Sequence, residues 1–156
     1  MSCDNPNCEC VICADIRNGL TLGEAQEKHR QWAREQIETH GFYVHFTPLS
    51  DIAFNYHTHG VETVFHHPDL QIVVPLPERV VIQMFHNVVA KIKAGRIFES
   101  GDIEEGIVMD YNVKFIDAVE GGRKVLRIVV PDSDGHLDES DLTEDFSFQY
   151  QHLETI

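Results

Sequence analysis

Gly41-Phe42-Tyr43-Val44-His45-Phe46-Thr47-Pro48 is the stretch in which the hydrophobic pattern of this chain changes its period. Upstream of it, Leu22, Ala25, His29, Trp32, Ala33, Gln36 and Ile37 recur at steps of three and four, while Glu27, Lys28, Arg30, Arg34 and Glu38 fall mainly on the other side. That spacing predicts a helix with one apolar face. From Phe42 the step becomes two. Phe42, Val44 and Phe46 then share one face, as in a half-buried strand. Gly41 is placed to stop the helix in the left-handed conformation, and Pro48 closes the strand. Helix passes directly into sheet.

Towards the amino end, Thr21-Leu22-Gly23-Glu24 is a capping-box pattern that starts the helix. Ahead of it stand all four cysteines of the chain, Cys3, Cys8, Cys10 and Cys13, in the spacing C-x4-C-x-C-x2-C, with Asp4, Asn5, Pro6 and Asn7 favouring tight turns between them. Thiolates so close in sequence can converge on one tetrahedral zinc ion, which takes four N or S donors at about 2.0–2.3 Å. In a reducing cytoplasm such a cluster reads as metal ligands rather than as two disulfides. It does not match the paired C-x2-C knuckles of familiar zinc modules, and a reduced tail without metal is the plain alternative.

Towards the carboxyl end, Ile52-Ala53-Phe54-Asn55-Tyr56 reads as a second strand that delivers the chain into His57-Thr58-His59-Gly60. Leu70 to Val74, ended by Pro75, is a short β-rich run. Pro77 suits the first turn of a helix whose stripe is Val80, Val81, Met84, Phe85, Val88, Val89 and Ile92, with Gly95 as its stop. Tyr111 to Ile116 and Val125 to Val130 are further strands, joined by a hairpin at Gly121-Gly122. Phe146, Phe148 and Tyr150 alternate as a candidate last edge strand.

Runs of neighbouring strands between two long helices predict an α+β fold: a mainly antiparallel sheet covered on one face by two helices, with an N-terminal Cys-rich metal knot. The expected divisions are a Cys-rich metal-binding segment at 1–20, one α+β domain at 21–137 and an acidic segment at 138–156. At 156 residues and 42% hydrophobic content the chain can build one core. With 26 acidic against 12 basic residues its formal charge is -14, which repels phosphate backbones and anionic lipid. Nucleic acid and membrane are therefore not expected partners. No segment has the eighteen or more apolar residues that cross a bilayer, and the first twenty residues lack a basic start followed by an apolar run, so a cytoplasmic protein is expected.

The second group of chemical interest is His57, His59, Glu62, His66 and His67. If the strand persists to His59, rings 57 and 59 share a face and point into one place, the arrangement of a metal site with a carboxylate nearby. H-x-H is a weak pattern in a chain of ten histidines. His66 and His67 precede a turn at Pro68-Asp69, and His45, opposite in parity to a core face, is expected towards solvent or a neighbouring loop. Asp132-Ser133-Asp134-Gly135 reads as a tight turn, because the calcium loop needs an acidic group where Val130 stands.

These stretches carry a resemblance. Phe54-Asn55-Tyr56-His57-Thr58-His59-Gly60-Val61, His67-Pro68-Asp69-Leu70-Gln71-Ile72-Val73-Val74-Pro75-Leu76-Pro77, Ala94-Gly95-Arg96-Ile97-Phe98 with Gly101, and Val125 to Gly135 together resemble the mostly bacterial domain-of-unknown-function family 4262. The cysteine cluster ahead of a helix ending in His40-Gly41 is similar too. The resemblance implies a shared fold and carries over no catalytic residue. After the tyrosine the family reads Thr-Val-Gly-Leu, where this chain has His57-Thr58-His59-Gly60-Val61, so the added imidazoles are a departure. Tyr56-His57-Thr58-His59 also resembles the opening of zinc-dependent isopeptidases of the JAMM type. There the continuation departs, with His67 at the serine position and Leu70 at the aspartate position.

Three functions are consistent with this reading. The first is a small cytoplasmic zinc-binding domain, serving as a ligand- or protein-binding module, with Cys3, Cys8, Cys10 and Cys13 as ligands. The second is a metal-dependent hydrolase with His57 and His59 as ligands and Glu62 as general base. The third is an acidic, metal-free adaptor or inhibitor that covers a basic partner. The partner is a protein or a small molecule, and a homodimer is compatible with the size.

Overall fold

The computed structural model describes residues 10–50 and 53–153. Of the expected cysteine ligands, Cys3 and Cys8 lie outside the described residues. The chain divides into two compact units, Met1–Phe42 and Tyr43–Ile156.

The first unit is a helix pair. Helix α1 (Val11–Arg17) was not legible beneath the cysteine pattern; α2 (Leu22–His40) is the helix the periodicity predicts. The Thr21 hydroxyl accepts from the Glu24 amide (3.2 Å) and donates to the Glu24 carboxylate (3.1 Å), and Gly41 ends α2 at φ +86°. Lys28 of α2 donates to Asp15 of α1 at 2.9 Å.

The second unit is a six-stranded, open, mostly antiparallel sheet with helices. Its strands are β1 (Tyr43–Pro48), β2 (Phe54–His59), β3 (Asp69–Ile72), β4 (Ile103–Val108), β5 (Tyr111–Glu120) and β6 (Arg123–Val129). In space they run β1-β2-β3-β6-β5-β4, with β3 and β6 the parallel pair. The short helix α3 (Val61–Phe65) follows β2, and α4 (Glu78–Lys93) follows β3. The α4 stripe is buried except for the half-buried Val80, and the helix is tied to β4 by Asn87 Nδ2 donating to the Ile107 carbonyl (3.0 Å) and Lys91 Nζ donating to Glu104 (3.0 Å). Of the two long helices expected over the sheet, α4 is the one in the sheet unit; α2 belongs to the helix pair. Among the described residues no helix is long and apolar enough to cross a membrane.

The register gives the sheet two chemically different faces. Tyr56 pairs with Ile72, Leu70 with Leu126 and Phe115 with Ile128, so these apolar and aromatic side chains share one face. His57 pairs with Gln71, Gln71 with Arg127 and Arg127 with Ile116, so the other face carries polar groups. These polar groups are nonetheless buried: Asn55, His57, Gln71 and Arg127 are each at most 2% exposed. Burial without water requires that each find a partner.

Part of that cover comes from the carboxyl end, where the expected edge strand is not formed. Residues 144–150 are instead a turn of helix α5 (Glu144–Ser147) and a 3-10 turn (Phe148–Tyr150). Glu144 and Asp145 favour a helix start, where backbone N–H groups are unpaired. The pairing a strand backbone would have made is made by a side chain: the buried Gln149 amide accepts from Val130 N–H (2.7 Å) and donates to the Val130 carbonyl (2.9 Å). Phe148 and Leu153 pack on a small cluster of Leu49, Ala53 and Val73.

Candidate metal centre

The β1–β2 hairpin assembles the site. Its register sets His45 directly opposite His57, and Tyr43 opposite His59. Strand β2 does persist to His59, so rings 57 and 59 share the face that the alternation predicts. The ring centroids lie 5.2 Å apart for His45–His57, 4.9 Å for His57–His59 and 6.0 Å for His45–His59. One nitrogen from each ring can be chosen so that all three lie within 4.8 Å of one another. A tetrahedral zinc ion at Zn–N of about 2.1 Å asks for N···N separations of about 3.4 Å, within reach of small side-chain rotations. Tyr43 stacks on His59 at 5.1 Å and limits that ring's freedom.

Burial keeps the two β2 rings neutral. Desolvation holds His57 down at about 3; the nearby Glu120 charge opposes this, and His59, His45 and Arg123 add to it. His59 is lowered to about 4, again chiefly by burial, with the Arg123 charge second. Neutral imidazoles keep a lone pair at physiological pH, which is what a metal ligand requires.

A carboxylate completes the group. Strand β5 runs past Ile116 to Glu120, whose Oε1 lies 3.5 Å from His57 Nε2 and whose Oε2 accepts from Arg123 Nε at 2.9 Å. Burial alone would raise the Glu120 carboxyl, but the Arg123 hydrogen bond and the facing charges leave it lowered, hence ionised at neutral pH. Arg123 in turn donates to Asp69 Oδ2 (3.0 Å) and to the Thr58 carbonyl (2.7 Å). Asp69 Oδ1 accepts from the Thr58 hydroxyl (2.7 Å) and from Val61 N–H (3.1 Å), pinning the turn at Gly60 that ends β2.

Behind the rings runs a chain of side-chain hydrogen bonds. His57 Nδ1 lies 3.1 Å from Asn55 Oδ1, which accepts from Gln71 Nε2 at 2.9 Å; Gln71 Oε1 accepts from Arg127 Nε at 2.8 Å. Arg127 Nη1 donates to the carbonyls of Gln149 and Gln151, both at 2.7 Å.

Of the site residues read from sequence, His57 and His59 come together. Glu62 stands exposed on α3, and the carboxylate at His57 is Glu120. His45, expected towards solvent or a loop, joins the cluster instead. Its parity was visible, but the pairing that brings β1 against β2 was not. His67 is structural: Phe98 N–H donates to its Nε2 (3.1 Å), and its Nδ1 lies 2.9 Å from the Pro68 carbonyl. Cys10 caps α1 and accepts from the Cys13 amide at 3.5 Å. Asp132, Asp134 and His136 also approach one another, but Asp132 is committed to the Asp134 and His136 amides and to the His136 ring, closing a tight turn as the sequence predicts.

No curated protein and no solved structure gives a significant match to the chain. A family model does match, over residues 36–123, which takes in His45, His57, His59 and Glu120 and more than half of the chain. The chain thus belongs to the family described as Domain of unknown function (DUF4262).

Proposed function

We propose that this protein is a zinc-binding domain that holds one ion between His45, His57 and His59. The observation that carries this reading is the convergence of three imidazoles on one sheet face, His57 buried and His45 and His59 half-buried, with the two β2 rings kept neutral chiefly by desolvation. Three histidines occupy three of the four positions zinc takes, and leave one for water or substrate, as in catalytic rather than structural sites. Imidazole also suits copper, iron and nickel, and zinc is chosen here for its tetrahedral preference.

Glu120 favours hydrolysis over simple binding. A carboxylate beside one ligand ring can take the proton of a zinc-bound water whose pKa has fallen to about 7. Glu120 fills this role in place of Glu62. The amino-terminal cysteines remain proposed ligands of a separate structural zinc. The Cys13 amide directed at Cys10 Sγ, at 3.5 Å, supports that reading by bringing the two cysteines of the described segment into one turn.

Elemental analysis of purified protein tests both sites. Two zinc ions per chain are expected, one lost in His57→Ala and the other in a Cys8→Ser, Cys10→Ser double variant. Metal content indifferent to His57→Ala overturns the imidazole site. On an activated ester, Glu120→Gln is expected to lower kcat/KM at least about 100-fold with zinc retained. An unchanged rate returns the protein to a binding module for a ligand or a protein.

A further inference from the structure

We propose that Gln71 and Arg127 are positioning residues that fix which nitrogen of His57 carries its proton, and so present the Nε2 lone pair to the metal. The inference rests on the zinc reading above for its purpose, and on the hydrogen-bond chain alone for its logic.

The chain begins at a group that can only donate. Arg127 is buried, and although desolvation lowers its pKa to about 10 it is a cation at neutral pH. A guanidinium has no acceptor, so the Gln71 atom 2.8 Å from it must be the carbonyl oxygen. That fixes the other end of the Gln71 amide as NH2, which donates to Asn55 at 2.9 Å. The Asn55 atom it meets is therefore Oδ1, an acceptor. The same oxygen lies 3.1 Å from His57 Nδ1, so Nδ1 must carry the hydrogen. In a neutral ring the remaining nitrogen, Nε2, is then bare.

Bare Nε2 faces an oxygen of the Glu120 carboxyl group, which accepts from Arg123 on its other side, at 3.5 Å. Two acceptors turned towards each other in a buried site repel, and a cation lying against both relieves the repulsion. The network therefore selects the tautomer that can ligate a metal and disfavours the one in which an Nε2–H would satisfy Glu120. Metal-bound histidines characteristically donate the other ring N–H to such a fixed acceptor. Here the acceptor's polarity is set three residues away, by an arginine whose other donors hold the carbonyls of Gln149 and Gln151.

Two substitutions that each add one negative charge to this chain have opposite expected results. In Gln71→Glu the new carboxylate accepts from Arg127 on one side and from Asn55 on the other. The Asn55 amide must then turn to present NH2, His57 Nδ1 becomes the acceptor, and the proton moves to Nε2. In Asn55→Asp the carboxylate accepts from both Gln71 and His57, so Nδ1–H is kept. The tautomer is read by long-range proton–nitrogen NMR of labelled, zinc-free protein at pH 7, with the His57 signals assigned by their loss in His57→Gln. Wild type and Asn55→Asp should show protonated Nδ1 and bare Nε2, and Gln71→Glu the reverse.

Zinc titration should follow the tautomer, with affinity kept in Asn55→Asp and lowered about 100-fold in Gln71→Glu, the upper end of outer-shell effects. Wild-type His57 protonated at Nε2, alone or with Nδ1, overturns the inference, even should Gln71→Glu fail to fold. Equal behaviour of the two folded variants overturns it too, since added charge alone would then be the cause. A wild type with the expected tautomer and no affinity for zinc leaves the relay standing and removes the zinc reading instead.

Discussion

Asp69→Ala is expected to destabilise the sheet unit by about 3–5 kcal/mol, the range for removing one partner of a buried ion pair. The Asp69 side chain is 4% exposed and receives three donors: the Thr58 hydroxyl, Val61 N–H and Arg123 Nη1. With it gone, the Val61 amide loses its acceptor at the start of α3, and Arg123 loses one of the two carboxylates that it bridges. Arg123 is about a quarter exposed, so water recovers part of that loss. The Thr58 hydroxyl still accepts from Leu70 N–H at 2.9 Å. Asp69→Asn keeps an oxygen for Thr58 and Val61 and should lose less, about 1–3 kcal/mol. Urea unfolding read by circular dichroism measures both. A loss below 1 kcal/mol in Asp69→Ala contradicts this account of how the end of β2 is held.

Metal-free protein is expected to lose stability steeply as the pH falls below 6.5. The folded pKa values of His57 and His59 are about 3 and about 4, below the 6.5 of an unconstrained histidine. Between these limits the unfolded chain binds protons that the folded chain refuses. The stability these rings contribute is thus complete above 6.5 and is lost on acidification, at about 1.4 kcal/mol per pH unit per ring. From pH 6.5 to 5 that amounts to about 2 kcal/mol for each ring. Below about 4 His59 stops contributing, and His57 continues to about 3. Glu120, also lowered, acts in the same direction at the acid end, because its stabilising charge is lost as it protonates. His57→Gln should remove about half of the loss over that window. Urea unfolding at pH 7 and 5 in the presence of a chelator checks it, and equal stability at the two values contradicts the buried, neutral state of the rings.

Much of the fold was legible because its signals are local. The capping box at Thr21, Gly41 at the end of α2, the α4 stripe and the Gly121-Gly122 hairpin each depend on residues within one element. Strand β4 is not legible, because Glu104-Glu105-Gly106 interrupts the alternation where its register to β5 shifts. The parallel β3–β6 pairing joins strands more than fifty residues apart, and no local pattern encodes it. The helical turns at residues 144–150 are not legible, because alternation of Phe146, Phe148 and Tyr150 does not reveal that Gln149 is the buried residue.

The site divides in the same way. That His57 and His59 share a face follows from period two alone. His45 enters only through the β1–β2 register, and Glu120 only because β5 continues beyond Ile116 through Asp117, Ala118 and Val119 to the hairpin. Asn55, Gln71 and Arg127 look in sequence like ordinary polar positions of strands. Their role comes from three adjacent strands placing them in one row of a buried face.

Anomalous scattering at the zinc edge from a crystal of the full chain shows whether the three imidazoles hold zinc. A peak bonded to nitrogens of His45, His57 and His59, with Glu120 beside it, is expected, whatever is found at the cysteines. A zinc-replete crystal without a peak among those three rings contradicts the imidazole site.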